Sequence, residues 1–187
     1  ITELAAVLAF SAMGNNDKVG AILFSDRIEK FIPPKKGKSH VLRIIREIIE
    51  IEPEGKGTDI TNALDHFLSA MKKRTVSFLL SDFRDSGYED LLKRAGRKHD
   101  FVALKIEDPI DLDIPDVGWL PLKDHESGET KWMRTGSKKD RIRYRAIELE
   151  RSENLKRAFA RAGIDSTTIR TDMPYVKPLM QLFDRRG

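Results

Sequence analysis

The sequence predicts a doubly wound α/β domain, a mostly parallel sheet covered by helices. Two observations carry this. Strand-like segments alternate with amphipathic helices, and the strand segments are apolar throughout rather than apolar at every second residue. In such sheets the ligand site lies beyond the carboxyl ends of the strands, at the switch point. That rule singles out Ser25-Asp26, the glycine loop before residue 58, and Ser81-Asp82.

Leu4, Ala5, Leu8, Ala9 and Ala12 fall at helical spacing, which predicts a helix over 2–13 that ends at Gly14-Asn15-Asn16-Asp17. Val19 to Phe24 is a continuous apolar run, the pattern of a strand buried on both faces. After the Ser25-Asp26 turn, Ile28 to Ile32 returns as a second strand, and Pro33-Pro34 is expected to stop the ladder. Val41, Ile44, Ile45, Ile48 and Ile49 mark a helix over about 39–51. Ile60, Ala63, Leu64, Phe67, Leu68 and Met71 mark a second, cleaner one.

Strands follow at 75–80 and 101–106, with a helix at 88–98 between them. Residues 107–137 form an irregular insertion, with a hairpin of 119–122 and 130–133 around His125-Glu126-Ser127-Gly128. A long charged helix over 139–162 is closed by Gly163. A strand at 166–170 and a helix at 175–183, opened just after Pro174, complete the reading.

The chain is 187 residues long, with 40% hydrophobic and 34% charged residues and no cysteine. That length suits one domain spanning 1–187, with core enough to fold without disulfides or structural metal. Absence of cysteine excludes thiolate zinc sites, iron–sulfur ligation and cysteine nucleophiles. No apolar run approaches the ~20 residues of a membrane span. The net charge of +4 is spread over mixed signs. Its basic clusters (Lys35-Lys36-Gly37-Lys38, Lys72-Lys73-Arg74 and 138–145) lack interleaved stacking aromatics, so no nucleic-acid partner is expected. The first residue is Ile1, within a helical pattern, so the chain reads as a piece of a longer product, with its first strand upstream.

Two segments could carry chemistry. In Gly55-Lys-Gly-Thr58-Asp59 a glycine loop feeds a helix N-terminus, where unsatisfied N–H groups gather; Thr58 and Asp59 are equally favoured N-caps. In Leu80-Ser81-Asp82-Phe83 an acidic group at a strand end beside hydroxyl oxygens suits a hard cation such as Mg²⁺ or Mn²⁺, or else an Asx turn. Asp108, Asp111, Asp113 and Asp116 read as a solvated loop. Nucleophile-elbow, zincin and dinucleotide-binding motifs are absent from the sequence.

Several segments, in order, resemble a known family: Asn16 to Asp26, Phe31-Ile-Pro-Pro-Lys-Lys-Gly-Lys-Ser-His-Val-Leu42, Gly57-Thr-Asp59, Leu80-Ser-Asp-Phe83, Ile114-Pro-Asp-Val-Gly118, Asp124-His-Glu-Ser-Gly128 and Tyr175 to Arg186. The chain is similar to the von Willebrand factor A-like part of a bacterial family of unknown function encoded beside MoxR-type AAA+ ATPases. The resemblance implies a Rossmann-like von Willebrand A fold and a non-enzymatic, cytoplasmic interaction domain. It further implies an adaptor for the ATPase in complex assembly, maturation or stress tolerance. It also implies a metal-ion-dependent adhesion site in which Thr58 and Asp82 are Mg²⁺ or Mn²⁺ ligands, with Ser25, Asp26, Asp59 and Ser81 on the partner-binding rim. The Asp-x-Ser-x-Ser loop of such sites is absent from this sequence. Metal binding is therefore expected to be weak or absent in this chain, and the slot of the missing strand is expected to favour self-association. The rival expectation is a Mg²⁺-dependent phosphoryl-transfer or hydrolytic enzyme using Asp82, which calls for a second carboxylate and a lysine at neighbouring strand ends, and the sequence offers no convincing lysine there.

Overall fold

The computed structural model describes residues 1–123 and 130–186. In chain order the elements are α1 (Thr2–Gly14), β1 (Val19–Phe24), β2 (Ile28–Lys35), α2 (Lys38–Glu50), α3 (Ile60–Ala70), β3 (Val76–Ser81), α4 (Glu89–Lys98), β4 (Asp100–Glu107), β5 (Trp119–Lys123), β6 (Thr130–Arg134), α5 (Lys138–Ala162), β7 (Asp165–Arg170) and α6 (Val176–Asp184). They fall into two compact units, one of 1–74 and 85–95, the other of 75–84 and 96–187.

In the first unit β1 and β2 form an antiparallel ladder, with α1, α2 and α3 packed around it. Leu4, Ile32, Val41, Ile44, Ile60 and Leu64 make its core. Two expectations need correction here. β1 is not buried on both faces: its side chains are half-buried except for the exposed Gly20. Among the described residues it has a ladder partner on one edge only. Nor does Pro33-Pro34 end β2, which runs on to Lys35 and pairs it with Val19. The register shifts between Val19 and Ala21. Such a bulge accommodates residues that lack an amide donor. Gly20 makes the close approach possible, since a Cβ there would lie 2.8 Å from the Ile32 carbonyl and 2.9 Å from the Pro34 nitrogen.

In the second unit β3, β4 and β7 form a parallel sheet in that order, with α5 and α6 on β7. The central strand β4 has the continuous burial that its apolar sequence predicts: Phe101, Val102, Ala103 and Leu104 are all buried. Phe159, Ile164, Ile169 and Leu182 complete this core. His99 is buried at the foot of β4, its Nδ1 3.1 Å from Thr75 Oγ1. The expected hairpin forms as β5–β6, with Pro121 opposite Trp132. Its expected turn at His125–Gly128 lies outside the described residues. Both units together make a mixed α/β protein whose parallel sheet is flanked by helices. No helix among the described residues is long and apolar enough to cross a membrane.

Candidate functional site

In the first unit the chain leaves β1 through Ser25 and Asp26 and meets the glycine loop there. The Asp59 N–H donates to the Ser25 carbonyl at 2.8 Å. The Ser25 hydroxyl donates to the Glu29 carboxylate, which also accepts the Gly55 N–H at 3.0 Å. Asp26 Oδ2 accepts the Lys56 N–H at 3.3 Å. Gly55 passes so close that a Cβ there would lie 2.1 Å from both Asp26 Oδ1 and Ser25 Oγ. This clasp sets the ionisation of both acids. The Ser25 hydroxyl and the Gly55 N–H hold the Glu29 carboxyl below its ordinary range. Burial works upward on Asp26, but bonds from the Lys56 and Gly57 N–H groups outweigh it and the net direction is down.

The loop delivers Asp59 to the start of α3, where its Oδ1 accepts the Asn62 N–H at 2.7 Å, an N-cap. A second carboxylate, Asp85, accepts the Ile60 N–H at 2.8 Å and the Ser86 N–H at 2.8 Å. Both oppose the positive end of the helix dipole. Thr58 stands exposed between the clasp and the cap. Thus Ser25, Asp26, Thr58 and Asp59 come together in this unit, beside an antiparallel ladder and not at the edge of the parallel sheet that the switch-point rule describes. Sequence reasoning missed Glu29 and the capping role of Asp85. The signal for Glu29 was present, because a turn as tight as Ser25–Arg27 returns the chain beside Ser25.

Ser81 and Asp82 belong to the second unit. Ser81 is buried, and its Oγ accepts the Phe83 N–H at 3.0 Å. Asp82 is exposed, and its Oδ1 accepts the Arg84 N–H at 3.2 Å, the Asx turn that aspartate favours on leaving a strand. Directly after them Phe83 is buried at φ +54°, a conformation costly for a bulky residue. Three contacts hold it there: Ser81 Oγ, the Arg151 guanidinium 3.3 Å from its carbonyl, and the ring of Phe159 in an edge-to-face contact at 5.0 Å.

A small cleft beside this turn is lined by Asp82, Arg84, Lys105, Glu107, Glu148 and Arg151, among others. Lys105 Nζ lies 2.6 Å from Glu107 and 3.3 Å from Ser152 Oγ. The Arg84 guanidinium lies 2.9 Å from Asp111 and 3.6 Å from Glu148. Burial alone would lower the Arg84 pKa, yet Glu148 and Asp111 raise it further, so this cation is permanent. The strand-end lysine and carboxylate that the enzymatic reading calls for are therefore present, as Lys105 and Glu107. The only trace of Lys105 in the sequence is one charge interrupting the apolar run of β4.

Among the described residues no group of three or more His, Asp or Glu side chains is placed to hold a metal ion. Asp59 is committed to capping α3 and Asp82 to its turn. The string of aspartates after β4 is committed too. Asp108 caps a single 3₁₀ turn at Pro109–Asp111, Asp113 pairs with Arg145 at 2.9 Å, and Asp116 lies 3.4 Å from Arg141.

Residues 1–154 match the model of a family described as "Protein of unknown function DUF58". An uncharacterized protein of Mycobacterium tuberculosis is 28% identical over 127 residues, 66% of this chain and 40% of that protein, and one of Mycobacterium bovis matches equally. An uncharacterized protein of Mycobacterium avium is 23% identical over 158 residues, 83% of this chain and 93% of that protein. The chain spans about 40% of the length of the first of these relatives. Among solved structures, the conserved hypothetical protein BatB from Bacteroides thetaiotaomicron aligns with a TM-score of 0.57 at 19% identity, covering 98% of this chain and 87% of that one. An aerotolerance-related membrane protein from Bacteroides fragilis aligns at 0.58 and 17% identity, covering 98% and 88%. At such identities the likeness concerns the fold alone.

Proposed function

The chain belongs to the DUF58 family, and from that premise we propose that it is a protein-interaction domain rather than an enzyme. It is an adaptor of von Willebrand factor A-like type that docks a MoxR-type AAA+ ATPase in the cytoplasm, in complex assembly, maturation or stress tolerance. One observation carries the reading. The polar groups at the clasp are spent on backbone N–H bonds: Glu29 on Gly55, Asp26 on Lys56, Asp59 on Asn62 and Asp85 on Ile60. The bonds on Glu29 and Asp26 favour their ionised forms, which suits a stiffened recognition loop and not acid–base work. What the loop offers a partner is Lys56 and Thr58, both exposed. The aerotolerance wording attached to the Bacteroides fragilis neighbour is in keeping with the stress-tolerance part of the reading. A divalent cation takes about six oxygens. Use of Mg²⁺ or Mn²⁺ therefore calls for ligands beyond Thr58 or Asp82.

The test is direct binding between the purified full-length protein and the MoxR-type ATPase of the same genome. Lys56→Glu and Thr58→Arg, at exposed positions, are expected to weaken binding at least tenfold while leaving the melting temperature unchanged, a loss of about 1.4 kcal/mol or more. Binding indifferent to both variants, or none at all, sinks the reading. The second reading, phosphoryl transfer at Asp82, is favoured by Lys105 and Glu107 in the same cleft. It predicts Mg²⁺-dependent hydrolysis of para-nitrophenyl phosphate that Asp82→Asn abolishes.

A further inference from the structure

The sequence holds two tryptophans, Trp119 and Trp132, and each is 64% exposed. They lie on the same face of the β5–β6 ribbon. Residues two apart on a strand share a face, as do residues directly opposite in an antiparallel pair. Trp119 and Pro121 on β5 therefore share a face with their partners Arg134 and Trp132 on β6. All four are exposed. Nothing in the second unit asks for two indoles in water, since its core closes around β4, Phe159 and Leu182 without them.

The ribbon is held firmly at its base. Thr135, fully buried, donates its N–H to the Gly118 carbonyl at 2.7 Å, and its Oγ1 donates to the same carbonyl at 2.9 Å. That hydroxyl oxygen accepts the Val117 N–H at 3.0 Å. Arg141 of α5 bonds the Thr135 carbonyl and lies 3.4 Å from Asp116. Next to this base the first turn of α5 exposes Lys138 and Lys139. A braced ribbon thus presents two aromatic rings with Arg134 on the same face, and two exposed lysines open the helix that follows it in the chain.

We infer that this face docks on an anionic lipid surface, the indoles lying at headgroup depth and Arg134, Lys138 and Lys139 meeting the lipid phosphates. Tryptophan is the side chain that settles at that depth, because its body is apolar and its N–H needs a wet partner. Basic groups beside it add electrostatic attraction to anionic lipid. A bilayer yields around exposed rings without needing shape complementarity.

The two tryptophans make the chain its own probe. Excited at 295 nm, the 187-residue chain reports from the ribbon alone. On adding vesicles of phosphatidylcholine with phosphatidylglycerol, the emission is expected to shift to the blue and to become shielded from iodide. The protein is also expected to sediment with the vesicles. Pure phosphatidylcholine should bind much more weakly. Trp119→Ser with Trp132→Ser should lower sedimentation at least tenfold, with a far-UV spectrum like the parent's. Arg134→Ala should cost about fivefold, the share of one basic group at such a surface. An unchanged spectrum with anionic vesicles overturns the proposal, as does sedimentation that survives the double substitution. A blue shift that follows protein concentration without lipid also overturns it, in favour of a second copy on the same face.

Discussion

Gly55 shows how much of the candidate site rests on the absence of a single carbon. Its position against Asp26 and Ser25 leaves no room for a methyl group. Gly55→Ala is therefore expected to open the clasp and cost about 1–3 kcal/mol, the usual toll of overpacking. A urea midpoint unmoved by the change would show that the loop is loose rather than clasped. Asp59 provides a chemically gentler probe. Asp59→Asn keeps an oxygen for the Asn62 N–H and should leave stability nearly unchanged, whereas Asp59→Ala should cost about 1 kcal/mol. Equal losses in both variants, compared by urea titration, would mean that the charge and not the cap matters. At this scale the sequence showed which polar side chains stand in the loops after β1 and before α3 but not what each spends its oxygens on. Thr58 and Asp59 are adjacent and both good caps; only the geometry assigns the cap to Asp59 and leaves Thr58 exposed.

Among the elements, α5 shows how little of a long helix needs to be buried. Over Lys138–Ala162 the one fully buried side chain is Phe159, which meets Phe83 edge to face. Phe159→Ala is expected to destabilise the second unit by about 3–5 kcal/mol. Ile142→Ala and Ile147→Ala, at exposed sites, should stay within about 0.5 kcal/mol. Comparable losses at all three positions in denaturant titrations would contradict the burial pattern. The helices and strands were legible in the sequence to within one or two residues, because periodicity and apolar runs are local signals. β2 past Pro33-Pro34 was not, since a bulge depends on what the partner strand does, here Gly20. The half-exposure of β1 escaped for the same reason. Its six residues read like those of β4, but β4 has neighbours on both edges and β1, among the described residues, on one.

For the whole molecule, acid sensitivity follows from where the ionisable groups sit. Burial, with Lys98 nearby, lowers the His99 pKa from its ordinary value of about 6.5. The unfolded chain then binds the extra proton first, so stability is full above pH ~6.5 and begins to fall below it. Asp26 and Glu29 are lowered as well, which adds a further decline below pH ~4.5, as carboxylates begin to protonate in the unfolded chain. Urea midpoints should therefore be flat from pH 8 to 7 and drop in two stages. His99→Gln should remove the first stage and leave the second; a first stage surviving that change would place its origin elsewhere. The burial of His99 was not legible in the sequence, because the residue precedes a strand in the manner of any turn. The arrangement of the sheets also predicts isotope lifetimes. β4 is paired by β3 over Asp100–Lys105 and by β7 over Val102–Glu107, so over Val102–Lys105 its amides lack a solvent-facing row. In deuterium oxide they should keep their protons until the second unit opens as a body. Every second amide of β1, beyond the reach of β2, should exchange far sooner, writing the difference between a central and a bordering strand as an alternation of fast and slow along six residues.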